Sequence, residues 1–281
     1  MNGLPSEEKS GWAARLELLL GQRQGRTVLL RRQHQGPFLV QKALYPEGDS
    51  PCHLILLHPP GGMAAGDTLA LHLQMEEGSH LLLTTPGAGK WYRSSAGVSR
   101  QELHLQLAPQ AVVEWLPQEN IFFSGCHAHL SLQVTLAEQA VFLGLDMQQF
   151  GRRASGERFP EGIVRQRCTI HQGERLLWRE QGALQGGSPW QEAEAGLAGF
   201  AVSGSLLLAG VAVDDALLQS CRALPVPAES RCGLTRLPHL LHARILTQES
   251  EPARHWLRQL WQHLRVTVLQ RPALLPRIWS T

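Results

Sequence analysis

Three carboxylates stand where carboxylates are unusual. Asp67 closes a glycine- and proline-rich turn, Asp146 ends the apolar run Val141-Phe-Leu-Gly-Leu145, and Glu180 follows Leu176-Leu-Trp-Arg179. An acid bordering an apolar strand is seldom buried without a cation, a metal or a hydrogen-bond donor. The plain account pairs each with an arginine such as Arg152, Arg153 or Arg179; the chemical one has them bind a cation. His127 and His129, at i and i+2, share the polar face of a strand whose other face carries Leu130 and Leu132. Alternation points neighbouring Cys126 to the opposite face, so Cys-His-x-His offers only a weak surface site for Ni²⁺ or Zn²⁺. Specific sites converge three or four ligands. No Ser-His-Asp or Cys-His set stands out by spacing, and no catalytic residue is assigned.

These groups sit around a stretch from Leu54 to Ser94 in which apolar, alternating segments are joined to two crowded turns. The first runs from His58 to Asp67 and holds Pro59, Pro60, Gly61, Gly62 and Gly66. The second packs Thr85, Pro86, Gly87, Gly89, Lys90, Trp91, Tyr92 and Arg93 together. Glycines reach φ > 0 without strain and prolines stiffen the chain. Neither property calls for the acid at the end of the first turn, or for the aromatics and cations of the second. Gly61-x4-Gly66-Asp67-Thr68 imitates a phosphate loop, but Asp67 replaces the lysine that meets the phosphates. A strand pattern (Leu69, Leu71, Leu73, Met75) follows in place of the helix whose amino end would cradle them. Gly87-Ala-Gly-Lys90 lacks the first glycine and the Ser/Thr. No G-x-S-x-G elbow accompanies the His58-Pro-Pro-Gly-Gly62 run, which removes the esterase alternative.

Charged residues make up 18% of the 281-residue chain, against about 25% in ordinary globular proteins. A surface short of charge suggests partner-covered area. The net charge of +2 leaves no nucleic-acid stripe. Five dispersed cysteines form no C-x-x-C pair, arguing against a disulfide framework or structural zinc. The first ten residues are polar, with no signal-peptide pattern, and no apolar run approaches the roughly 20 residues that span a bilayer. A cytoplasmic protein with no membrane association is expected.

Period-two alternation recurs along the chain. Trp12, Ala14, Leu16, Leu18 and Leu20 define one face, and Thr27–Arg31, Phe38–Ala43, Leu103–Leu107, Leu130–Leu136, Ala140–Leu145, Ile163–Ile170 and Arg175–Leu184 continue the series. This pattern predicts a mainly β fold of sandwich, barrel or stacked β-helix-like layers rather than βαβ units. Two late helices are expected, over Asp214–Leu224 and Glu251–Val266. The second carries Trp256, Leu257, Leu260, Trp261 and Leu264 on one stripe. That stripe either packs on the core or, through Trp256 and Trp261, docks a partner. Residues 1–10 read as a mobile tail and residues 11–281 as one β-rich domain.

Three stretches, taken together, resemble one family. They are His58-Pro-Pro-Gly-Gly-x3-Gly-Asp67, Thr84-Thr-Pro-Gly-Ala-x-Lys-x-Tyr-Arg-Ser94 and Glu114-Trp-Leu-Pro-Gln-Glu-x-Ile-x-Phe123. Their order and separations are similar to those of the urease accessory protein UreD family (UreH in some organisms), with Glu114, Pro117, Gln118 and Glu119 in the third. The likeness runs on through Phe150-Gly-Arg152 and Glu157, covering residues 10 to 185 best. The resemblance implies a non-enzymatic chaperone of stacked β layers with a pair of helices and no tightly bound cofactor. It further implies that the chaperone binds a UreF-like scaffold, which recruits a UreG-like GTPase carrying nickel, and docks on the urease apoprotein. Transient Ni²⁺ would then pass along an internal route lined by Asp67, Asp146 and Glu180, carboxylates holding the ion more loosely than thiolates. Gly89 departs from the pattern, standing where relatives often carry a hydroxyl residue. Two alternatives stay open: a β-rich interaction scaffold without a direct metal role, and a small-ligand enzyme that uses the turns as a pocket.

Overall fold

The alternating segments become strands throughout the computed structural model, which describes residues 11–94 and 97–280. The expected mobile tail, residues 1–10, lies outside the described residues. In chain order the elements begin with β1 (Ala13–Arg23), β2 (Arg26–Gln35), β3 (Leu39–Val40), β4 (Cys52–Leu57), β5 (Thr68–Met75) and β6 (His80–Thr84). Then come β7 (Gly89–Trp91), β8 (Ser99–Leu107), β9 (Val112–Leu116), β10 (Asn120–Phe122), β11 (His127–Leu136) and β12 (Val141–Phe150). The last are β13 (Ile163–Gln172), β14 (Arg175–Gln185), β15 (Val202–Ala209), α1 (Asp215–Arg222), β16 (Arg231–Leu237), β17 (Leu240–Thr247) and α2 (Ser250–Thr267).

From β4 onward the chain crosses between two sheets, laying each new strand beside the one placed a coil earlier. The first sheet has the order β14-β13-β11-β8-β5-β1-β2, with β1, β5, β8, β11 and β13 parallel. The second runs β16-β17-β15-β12-β9-β6-β4-β3, and β4, β6, β9 and β12 are parallel. This is a stacked β-solenoid, ended by antiparallel hairpins.

Two cores follow from the layering. Leu16, Leu18, Leu71, Leu73, Leu103, Leu105, Phe142 and Leu207 fill the space between the sheets. Leu82, Leu116, Leu143, Leu206 and Leu208 point out of the second sheet's far face, where α1 and α2 cover them. Strand β6, His80-Leu-Leu-Leu-Thr84, is buried at every residue because it has protein on both faces.

Trp256 and Trp261 are 1% and 0% exposed within that helix-facing core. The suggestion that they dock a partner is therefore corrected: the stripe points at the sheet, whose apolar far face would otherwise meet water. Two strand expectations also change. Trp12 is 64% exposed and precedes β1. Only Leu39–Val40 of the Phe38–Ala43 stretch pairs, since the chain leaves the ladder before Lys42.

Candidate functional site

The three family-like stretches meet at one place. Met63 N–H donates to the Lys90 carbonyl at 2.7 Å, and Tyr92 N–H donates to that of Met63 at 2.9 Å, joining the first turn to the second. A Cβ on Gly62 would lie 2.4 Å from the Tyr92 ring, so this close approach requires glycine. The second turn is tied to the third stretch by Gly89 N–H to the Glu119 carbonyl (2.9 Å) and Gln118 N–H to Thr85 Oγ1 (2.9 Å). A Cβ on Gly89 would sit 2.8 Å from Asn120 Oδ1, which accepts from Trp91 Nε1, so glycine at this departure leaves that bond undisturbed.

Behind these turns a cavity of about 410 Å³ extends between the two sheets. His58, Gly61, Gly62, Thr85, Pro86, Gly87, Lys90, Pro117 and Gln118 frame one end. Burial lowers the His58 pKa, and the charge of Asp67 opposes that shift. Asp146, Gln166, Cys168, Glu180 and Ser205 line the far end, beyond a stretch bordered by Leu103, Leu132 and Phe142.

Asp146 and Glu180 thus reach the same cavity from opposite sheets, on β12 and β14. Asp146 faces the cavity but is enclosed by protein. Burial pushes its pKa up to about 6, the amides of Gln148 and Gln166 opposing and the charge of Glu180 adding to the rise. Those amides donate to Asp146 Oδ2 at 2.9 and 2.8 Å. Glu180 Oε1 lies 3.6 Å from Arg244 Nη2. None of the arginines considered from sequence serves these acids: Arg152 pairs with Glu157, Arg153 bonds Gln248, and exposed Arg179 pairs in register with Thr169 on the outer face. Cys168 presents a protonated thiol, burial raising its pKa to about 12 with help from Glu180 and Asp146.

Asp67 is not on the cavity wall. Its Oδ2 accepts from Ala64 N–H at 2.7 Å and its Oδ1 from Trp12 N–H at 2.9 Å, so the acid clamps the first turn onto the approach to β1. The convergence of all three acids on one route is corrected to two, because the Asp67 carboxylate is engaged by backbone.

The remaining candidates have other settings. Glu114 is fully buried between the second sheet and α2, accepting from His80 Nε2 (2.7 Å), Trp261 Nε1 (2.7 Å) and Arg265 Nε (3.0 Å). Glu119 Oε1 accepts from Arg254 at 2.6 Å. Tyr92 packs edge-on against Phe123, Arg93 lies 3.3 Å from Glu161, and Pro59 and Pro60 are exposed. His127 and His129 occupy the outer face of the first sheet, with His129 in register between Arg100 and Arg165. Flanking cations disfavour metal there, and among the described residues no three His, Cys, Asp or Glu side chains form a metal-binding group. Gln148, Gln166, Ser205 and Arg244 were missed from sequence. Gln166 carried a signal, a polar residue in phase with inward-facing Val164, Cys168 and Ile170.

Fold and cavity together define a β-solenoid scaffold with an acid-lined internal chamber, opening behind the three joined turns. A family model described as UreD urease accessory protein matches residues 13–280. Relatives named urease accessory protein UreD include one from Methylobacillus flagellatus, 45% identical over 96% of this chain and 95% of its own length. Another, from Nitrosococcus oceani, is 48% identical over 96% of this chain and 90% of its own length. The chain belongs to the UreD urease accessory protein family. No helix among the described residues is long and apolar enough to cross a membrane.

Proposed function

We propose that this chain acts in the cytoplasm as a non-enzymatic chaperone of urease maturation, and that Ni²⁺ on its way to the urease apoprotein crosses the cavity between the sheets. Membership of the family implies the role in maturation. A UreF-like scaffold and, through it, a UreG-like GTPase would supply the ion, since this chain offers no phosphate loop of its own. The observation that carries the passage is the arrival of Asp146 and Glu180 at one chamber from opposite sheets. Two carboxylates facing each other at one end of a chamber attract a divalent cation, and fewer than three convergent donors let it leave. Asp146 accepts only amide hydrogens, so its negative charge has no resident cation to displace.

The test uses a host whose urease operon lacks its own scaffold gene, supplied with this chain and its cognate accessory proteins. Asp146→Asn and Glu180→Gln should lower the nickel content of purified urease while leaving co-purification with the chain intact. Unchanged nickel in both variants would overturn the passage and leave a β-rich scaffold with no direct metal role.

A further inference from the structure

We infer that the outer face of the first sheet, at its β11–β13–β14 end, docks an acidic surface of a partner protein. The face is built by register. Arg100, His129 and Arg165 lie side by side on β8, β11 and β13, followed in the next outward row by Glu102, Ser131, Arg167 and Gln181. Arg179 stands one row further, beside Thr169. Arg100, Arg165, Arg167 and Arg179 are all exposed. Among the described residues none of them makes an ion pair, although Arg15, Arg23, Arg152 and Arg231 elsewhere on the surface each have a carboxylate.

Like charges gathered on one sheet face cost stability, and among the described residues of these rows from β8 to β14 a single carboxylate, Glu102 on β8 beside Ser131, stands against four arginines. The outward positions from His127 to Thr135, Ile163 to His171 and Arg179 to Gln185 contain no Asp or Glu. In a chain of net charge +2, this is a local concentration of charge.

The character of the face selects among anionic partners. It holds no Phe, Tyr or Trp at these outward positions, so bases have nothing to stack on and a membrane interface has no anchor. Apart from Glu102, what surrounds the arginines is hydrogen-bonding: His129, Ser131, Gln133, Thr169 and Gln181. Arginine forks match carboxylates two bonds at a time, and a flat face fits a protein surface carrying Asp and Glu.

The test is co-purification of the full chain with urease and the other accessory proteins, comparing wild type with R165E/R167E at low and high salt. Both side chains are exposed and the reversal relieves like-charge repulsion, so the variant should unfold at or above the wild-type temperature; a lowered unfolding temperature would assign the arginines to stability and overturn the inference. Docking predicts loss of at least one partner on the order of tenfold at low salt, with the wild-type interaction weakening as salt rises. Equal retention of every partner at low salt would overturn it. Binding of wild type to nucleic acid or anionic vesicles with no change in protein partners would overturn it as well. The outcome is separable from the nickel passage, because R165E/R167E alters association whereas Asp146→Asn alters nickel at constant association.

Discussion

Glu114 and Arg265 meet 3.0 Å apart with neither side chain exposed, one on a solenoid strand and the other on the last helix. Arg265 also reaches Glu47 (2.9 Å) and the Pro272 carbonyl (2.6 Å), while Glu47 lies 2.7 Å from His53. Helix α2 is thereby fastened over the second sheet. Removing one member of a buried pair strands the other, typically at a cost of about 3–5 kcal/mol. Glu114→Ala should destabilise the chain by that amount in denaturant unfolding, whereas E114L/R265M should recover much of it. A loss below about 1 kcal/mol for the single variant would show that the pair does not hold the helix.

The same network sets an acid limit. Burial alone would raise the pKa of Glu114 and of Glu47, but His80, Arg265 and Trp261 outweigh it at Glu114, as His53 and Arg265 do at Glu47. Both folded values lie below the ordinary 4.5. A depressed carboxylate contributes stability above its unfolded value, and that contribution is lost as pH falls through the folded one. Unfolding temperature should therefore drop steeply below about pH 4.5, and much less steeply in E114L/R265M.

Asp146 has the opposite sign. With its pKa raised from 3.8 to about 6, the folded state favours the protonated acid. Its contribution is favourable below the unfolded value and is lost as pH rises towards 6. The gap corresponds to on the order of 3 kcal/mol of strain at neutral pH. Asp146→Asn keeps an acceptor for Gln148 and Gln166, so it should raise the unfolding temperature at pH 7.5 and change little at pH 3.5. A destabilised variant at pH 7.5 would show that the charge is compensated. Gained stability with lost nickel delivery is the pattern of a group kept for function.

How much of this was legible in sequence depends on the scale of the signal. Alternation such as Leu69-x-Leu71-x-Leu73 reports a strand with one wet face, and the stripe through Trp256 and Leu260 reports a helix. Stacked layers followed from the number of such strands and, more sharply, from the family resemblance. That Asp146 and Glu180 share a chamber was not legible, because they arrive on different sheets and no local period links them. Asp67 misled for a related reason: an acid closing a glycine-rich turn looks the same whether it awaits a cation or caps backbone N–H groups at Ala64 and Trp12. Trp12 itself continued the apolar period, but the strand begins one residue later.

Asp67→Ala removes both of those charge-assisted bonds, each worth about 1.5–3 kcal/mol where well formed and less here because the site is partly open to water. A loss of about 1–3 kcal/mol in unfolding is expected, with soluble chain, partner association and urease nickel falling together. Nickel falling alone, with stability and association unchanged, would return Asp67 to the route of the ion.

A passage is also sensitive to its bore, independently of its charge. Ser205 is the register partner of Asp146 and lines the chamber beside it. Added side-chain volume there enters a cavity of about 410 Å³ instead of a packed core, so overpacking strain is avoided. Ser205→Leu should leave unfolding temperature and partner association near wild type and reduce urease nickel towards the level of a host lacking the chain. Ser205→Ala, which leaves the bore open, should retain delivery. Were both variants to load urease equally, the chamber would be a packing defect of the solenoid, and the ion would travel along its outside.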